Sequence, residues 1–155
     1  MQKSINFQGD YLDLAQVKTY QAGVLQSTAF RVINKVTTDM LKEHNLSTMQ
    51  WFIVGTVHDA GDEGISITDL ARKLDTGVSF LTNSINVLEL KGMVNRKEHA
   101  KDSRVRIVRL SPSFKSECLD IETKLRQKMR ETLYDHITPE DLRVYIKVLK
   151  QLASL

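Results

Sequence analysis

The chain has 155 residues, of which 41% are hydrophobic and 26% charged, and its formal net charge is +3. A chain of this size and composition can bury a hydrophobic core without the help of disulfide bonds or a structural metal ion. The single cysteine excludes an intrachain disulfide, and no apolar run reaches the length of a membrane span. We therefore expect one globular domain in the cytoplasm, with no membrane partner.

The positive charge is concentrated in one part of the chain. Residues 66–110 contain nine cations and five anions, whereas the rest of the chain is slightly acidic. Such an asymmetry is typical of a nucleic-acid-binding face. It is also compatible with ordinary clustering of charge, so the distribution alone leaves both interpretations open.

The first predicted element is a long helix from Asp10, its cap, to about Glu43, because apolar residues recur along it at helical spacing. Asn45 follows as a left-handed terminator. Ser47 and Gln50 have the spacing of a capping box and predict the start of a second helix. The glycine-containing stretch that follows this second helix predicts a loop.

Two short helices joined by a tight turn come next. The motif "SITD" has capping-box spacing and starts the first, and "DTG" breaks it. The second runs from about Val78 to Lys91 and ends at Gly92. Its apolar residues are spaced three, four and three apart, which predicts an inward stripe. This inward stripe consists of Val78, Leu81, Ile85 and Leu88.

The opposite side of that second helix is polar but uncharged, and it carries Ser79, Thr82, Asn83 and Asn86. Asparagine pairs bidentately with adenine in the major groove, and serine or threonine accepts several partners. The helix-turn-helix setting therefore favours a double-stranded DNA partner. The alternative is a polar helix face without a binding role.

The stretch "RKEHAKDSRVRIVRL" predicts a β-hairpin with six cations against two anions. Ser111 and Pro112 then predict the cap and first residue of a helix that ends at about Tyr134. "TPED" starts a last helix in the same way. The side chains predicted to point inward on this last helix are Leu142, Tyr145, Leu149 and Leu152.

Three segments, "SITDLARKL", "VLELKGMVNR" and "DSRVRIVRLS", resemble the MarR (multiple-antibiotic-resistance regulator) family. The resemblance implies a mainly α fold with a small β-hairpin wing, in a single domain over residues 1–155. Residues 47–110 would form a winged helix-turn-helix part. The flanking residues 10–45 and 112–155 would form dimerisation helices. The implied function is that of a homodimeric transcription regulator, most often a ligand-responsive repressor bound to a pseudo-palindromic operator.

The resemblance also implies roles for residues of the hairpin. Asp102 would brace the wing through an ion pair, and Arg104 would enter the minor groove, where a narrow A·T-rich groove attracts arginine. Asn83 and Phe80 depart from the residues of many relatives, so a sequence preference cannot be transferred. The full predicted DNA-binding set is Ser79, Phe80, Thr82, Asn83, Asn86, Arg96, Lys97, Lys101, Arg104 and Arg106.

An effector cleft is implied where the first, second and fifth helices meet the winged part. Phe30, Arg31, Trp51 and Phe52 lie on the helices that would line it. Aromatic rings beside one cation suit a small aromatic acid. The alternative is that these aromatic residues belong to the core.

No catalytic or metal-binding motif assembles in the sequence, so we expect no enzymatic activity, no metal and no cofactor. The four histidines are scattered, and Cys118 lies on an apolar helical stripe, which favours a buried, inert thiol over a redox sensor. Two alternatives to a DNA-binding regulator remain. They are a winged-helix module that binds proteins and a small-molecule-binding protein whose basic hairpin is incidental.

Overall fold

The computed structural model describes residues 17–99 and 102–154, without the side chain of Ser103. This part of the chain contains six α-helices and three β-strands. The helices are α1 (Thr19–Lys42), α2 (Thr48–Asp59), α3 (Ile67–Lys73), α4 (Val78–Leu90), α5 (Lys115–Leu133) and α6 (Pro139–Leu152). The strands are β1 (Ile65–Ser66), β2 (Val94–His99) and β3 (Asp102–Leu110).

The chain divides into two compact units, residues 1–35 and residues 36–155. In the described part of the first unit, residues 17 and 18 are not helical, and α1 starts at Thr19. The backbone N–H of Lys18 donates to Gln21 Oε1 at 3.0 Å, which forms half of a capping box at this point. The prediction of an unbroken helix from Asp10 is therefore wrong at residues 17–18, and Asp10 lies outside the described residues.

In the second unit, helix boundaries follow the predicted caps. Asn45 adopts a left-handed conformation with φ 54° after α1. Ser47 and Gln50 form both hydrogen bonds of a capping box at the start of α2. Ser66 and Thr138 each accept a hydrogen bond from the backbone N–H three residues later, at the starts of α3 and α6. These cap predictions are confirmed. They could be made from the sequence because the two residues of each hydrogen bond are only three positions apart.

The three strands form an antiparallel sheet in the order β1–β3–β2. The predicted hairpin of β2 and β3 is confirmed, with Val94 opposite Leu110. Strand β1 pairs Ile65 with Val108 on the other edge of β3. We did not predict β1, because a two-residue strand has no periodicity to detect.

The core of the second unit lies between the sheet and the helices that pack on it. Full burial of one such aliphatic side chain contributes about 1.5–3 kcal/mol. The most deeply buried residues of this core are Leu41, Ile53, Val54, Val57, Leu70, Leu81, Ile85, Leu88, Val94, Val108 and Ile121.

Helix α5 starts slightly later than predicted. The first turn after Ser111 is a 3₁₀ turn over Pro112–Phe114, and the α-helix proper begins at Lys115. Ser111 occupies the predicted cap position, but its side chain forms no capping hydrogen bond. Proline fits the first turn of either helix type because its missing N–H has no partner there.

Helix α6 is amphipathic, but the residues that the structure describes leave most of its apolar side exposed. The prediction that four of its residues point inward is confirmed only in part, because Leu142 alone is half-buried. Val144, Tyr145, Ile146, Val148, Leu149 and Leu152 are exposed. None of the helices in the described ranges combines the length and the apolar content needed to cross a membrane.

Candidate nucleic-acid interface

Helices α3 and α4 form the predicted helix-turn-helix. Ser66 caps α3, and the turn before α4 contains Asp75 in a left-handed conformation with φ 46°. Leu81, Ile85 and Leu88 are fully buried and hold the inner side of α4 against the core. The outer side of α4 is therefore presented to solvent along a fixed direction.

The first turn of α4 projects from the core. Val78 and Phe80 are 48% and 53% exposed, and Ser79 between them is exposed as well. The prediction that Val78 points inward is wrong. Helical periodicity assumes that the core continues along the whole helix, whereas here it begins at Leu81. The N-terminal turn of a recognition helix is the part that contacts base edges in helix-turn-helix proteins.

The predicted polar face of α4 is presented unevenly. Ser79 and Asn83 are exposed, whereas Thr82 and Asn86 are half-buried. The Thr82 hydroxyl donates to the carbonyl of Val78 at 2.8 Å, so its proton is already engaged within the helix. Of the residues of α4 that were predicted to bind DNA, the exposed ones are therefore Ser79, Phe80 and Asn83.

The wing cations differ in their partners. Arg106 Nη1 lies 2.9 Å from Glu98 Oε1 across the hairpin, in an exposed ion pair. Lys97 is exposed and forms no ion pair with any residue that the structure describes. Arg96 is half-buried and pairs with Glu89 of α4. Lys101 lies outside the described residues, so its predicted role rests on the sequence.

Asp102 and Arg104 lie at the tip of the wing. Asp102 Oδ1 accepts a hydrogen bond from the backbone N–H of Arg104 at 3.0 Å, and it lies 3.5 Å from Arg104 Nε. The Arg104 side chain is 93% exposed. The carboxylate thus holds the first residues of β3 while the guanidinium extends into solvent, which is the geometry required for the predicted bracing role.

The sheet behind the wing depends on a glycine that we did not single out. Gly64 has φ 72°, and a Cβ there would lie 2.5 Å from both Arg109 Cγ and the carbonyl oxygen of Val108. Arg109 Nε donates to the carbonyl of Glu63 at 3.2 Å, which joins β3 to the turn before β1. The sequence shows a glycine in the loop before β1, but it does not show that Gly64 approaches Val108 and Arg109 of β3.

The predicted effector residues lie in different units and differ in exposure. In the first unit, Phe30 is exposed, and Arg31 Nη2 donates to Thr28 Oγ1 at 3.1 Å. In the second unit, Trp51 belongs to the core and is 8% exposed, whereas Phe52 is exposed. The effector site stays a prediction, and Trp51 already has a structural role.

The described residues contain no group of three or more His, Cys, Asp and Glu side chains that is able to hold a metal ion. Cys118 is buried and not in a disulfide. Burial raises the pKa of its thiol, and the negative charges of Glu122 and Asp59 act in the same direction. These properties match the predicted inert thiol.

Helix α3, the tight turn, α4 and the β2–β3 hairpin together define a winged helix-turn-helix protein. The MarR family model matches residues 44–105, a segment that includes α2, α3, α4 and β2. In this segment, which is less than half of its length, the chain is similar to the MarR family.

Known proteins resemble the chain in sequence and in fold. The uncharacterized HTH-type transcriptional regulator YdgJ of Bacillus subtilis (strain 168) is 28% identical over 90 residues, covering 58% of this chain and 54% of that protein. This match therefore spans about half of the curated relative. The transcriptional regulator BldR of Sulfolobus solfataricus is 27% identical, with a TM-score of 0.74 over 87% of this chain and 94% of that one.

The structure of a complex between MepR of S. aureus and DNA has a TM-score of 0.72 to this fold at 21% identity. The similarity covers 90% of this chain and all of that one, 100%. At this identity the likeness establishes the fold.

Proposed function

We propose that this chain is a sequence-specific transcription regulator that binds double-stranded DNA as a homodimer. The observation that carries the proposal is the exposed first turn of α4 beside a basic wing. Ser79 and Phe80 in that turn and Asn83 in the next are exposed, on a helix whose inner side is buried at Leu81, Ile85 and Leu88. An α-helix fits the major groove, and these side chains offer hydrogen bonds and an apolar contact to base edges.

The wing supplies the complementary contacts. Lys97 and Arg106 are placed to neutralise phosphates, which contributes affinity without reading sequence. Arg104 extends from the tip and is suited to a narrow minor groove. The fold shared with MepR, whose structure contains DNA, supports the same use of the two elements.

The homodimer is proposed from the uncovered apolar side of α6. A row of aliphatic and aromatic side chains exposed to water along one helix is typical of an association surface. Two copies related by a two-fold axis would present two α4 helices about 34–36 Å apart, which matches successive major grooves of a pseudo-palindrome.

Ligand control is the finer part of the proposal. A small aromatic acid, the effector predicted from Phe30, Arg31, Trp51 and Phe52, would lower DNA affinity and so relieve repression. The support within one unit is the exposed ring of Phe30, which adjoins Arg31 in the sequence of α1. Since the proposed partner is chromosomal DNA, we propose that the protein acts in the cytoplasm.

Selection of bound duplexes from a random-sequence DNA pool, followed by a gel shift on the selected site, tests the function. Enrichment of a two-fold-symmetric site is expected. The affinity should fall steeply with salt, with a slope of roughly 0.9 per phosphate contact in a log–log plot. Failure to enrich any duplex, with a salt slope near zero, would contradict DNA binding and favour a winged-helix module that binds proteins.

A further inference from the structure

Glu89, near the end of α4, is joined to Arg96 of the wing by three hydrogen bonds. Its Oε1 accepts from the backbone N–H of Arg96 at 3.2 Å, and its Oε2 accepts from Arg96 Nε at 2.9 Å and from Nη2. One carboxylate thus binds both the main chain and the side chain of the same strand residue. This contact restrains the strand itself, which a pair of side chains alone would not do.

The Glu89–Arg96 pair is also better sheltered than the other ion pairs of the wing. Its two side chains are 35% and 29% exposed, whereas those of the Arg106–Glu98 pair are 54% and 56% exposed. The hydrogen bonds from Arg96 lower the pKa of the Glu89 carboxyl, so it is ionised at neutral pH. Charge-assisted bonds of this kind are stronger and more geometrically selective than neutral ones.

The Glu89–Arg96 pair lies near the base of the hairpin, so it affects the position of the wing tip. Only Lys91, Gly92 and Met93 connect α4 to β2, and Gly92 turns the chain with φ 71°. From Arg96 to the end of β2 at His99 the strand rises three residues, or about 10 Å at roughly 3.3 Å per residue. A small rotation of the strand at Arg96 therefore moves the tip by an ångström or more.

We propose that Glu89 is a positioning residue that holds the wing, through Arg96, at a set orientation to α4. With Arg96 engaged by Glu89, its role in DNA binding is to place Arg104 and not to contact a phosphate directly. This inference rests on the proposed DNA-binding function. It adds that the Glu89–Arg96 contact lets α4 bind the major groove while the wing binds the minor groove.

A purely electrostatic effect and a positioning effect of Glu89 predict opposite changes in DNA affinity for Glu89→Gln. The substitution removes a negative charge from a DNA-binding surface, so charge alone would tighten binding. Loss of the bonds to Arg96 would instead let the wing move and weaken binding. Glu98→Gln is the matched control, because it makes the same chemical change in the exposed ion pair of the same hairpin.

The test is hydroxyl-radical footprinting and affinity measurement on the selected duplex, with circular dichroism to verify that each variant is folded. Glu89→Gln should weaken binding by about tenfold and lose the protections made by the wing while keeping those made by α4. Glu98→Gln should keep both sets. Arg104→Ala should cost much less affinity in the Glu89→Gln background than in the wild type, because the wing is already displaced.

A wild-type-like footprint for Glu89→Gln, together with an unchanged Arg104→Ala penalty, would overturn the positioning role. Tighter binding by Glu89→Gln would overturn it as well. Failure of the wild-type protein to select and footprint any duplex would instead contradict the proposed function, so the two failures are distinguishable.

Discussion

Asp102 and Arg104 face each other across a single residue at the tip of the wing, with the Asp102 carboxylate 3.0 Å from the Arg104 backbone nitrogen. The same carboxylate lies 3.5 Å from the Arg104 side-chain Nε. The acid therefore holds the main chain of a residue whose side chain is 93% exposed. If Arg104 contacts DNA as proposed, the negative charge of Asp102 beside it makes sense only if its structural effect outweighs its repulsion of phosphate.

We expect Arg104→Ala to weaken operator binding by about 1–3 kcal/mol, the usual cost of removing a groove-reading arginine. Asp102→Asn should also weaken it, since the amide cannot replace the ionic contact. Gel shifts on the selected duplex measure both effects. Arg126→Ala, which removes an exposed arginine from α5, is the control and should leave affinity near the wild-type value. Tighter binding by Asp102→Asn would show that Asp102 does not brace the wing.

Gly64→Ala should destabilise the fold, because the added Cβ would lie 2.5 Å from the main-chain oxygen of Val108 and the sheet would have to move. Gly61→Ala is the matched control, since Gly61 has a similar φ of 63° but open space around it. Left-handed strain alone costs about 1–2 kcal/mol, and Gly64→Ala should cost about 1–3 kcal/mol more. Urea unfolding followed by circular dichroism measures both. Equal losses would show that β1 and β3 separate without penalty.

Leu149→Glu on α6 should dissociate the proposed homodimer. Burying a leucine at an interface contributes about 1.5–3 kcal/mol, so the dimer dissociation constant should rise by at least about tenfold. Leu90→Glu, at the exposed end of α4, places the same charge on a surface outside α6 and should leave association unchanged. Sedimentation velocity over a range of concentrations gives the comparison. A Leu149→Glu protein that remains dimeric at the wild-type concentration would exclude α6 from the interface.

Cys118 should react slowly with a thiol reagent such as 5,5′-dithiobis(2-nitrobenzoate) in the native protein. Its burial limits access and raises the pKa of the thiol, so the reactive thiolate is scarce at neutral pH. Reaction should become rapid once the chain is unfolded in urea. Peroxide treatment should leave DNA affinity unchanged in both the wild type and Cys118→Ser. A peroxide effect that Cys118→Ser abolishes would identify a redox role.

The effector hypothesis predicts that a salicylate-like acid binds free protein more tightly than operator-bound protein, by the factor with which it weakens operator binding. Calorimetric titration with and without operator measures the two affinities. Arg31→Ala should reduce binding of the acid, whereas Lys35→Ala, which removes an exposed cation from the same helix, should not. Equal affinity of the acid in both states would mean that it is not the regulatory signal.

Apolar spacing and charge in a sequence do not show which surfaces a residue meets in the fold. Val78 fits the apolar spacing of α4, yet it is exposed, because spacing identifies a face but not where the core beneath it ends. Arg96 is predicted to bind DNA together with the other wing cations, since charge in the sequence carries no information about the partner of a side chain. Its engagement with Glu89 depends on how the strand packs beside the helix.

Elements with local causes can be predicted from the sequence. The capping box at Ser47, the cap at Ser66 and the left-handed turn at Asn45 depend on residues within a few positions of one another, and the charged hairpin depends on one short stretch. Three features depend on the tertiary fold: the pairing of β1 with β3, the approach of Gly64 to Val108 and the hydrogen bonds between Glu89 and Arg96. These features join elements that meet only when the core forms, and short-range spacing cannot encode which surfaces that packing brings together.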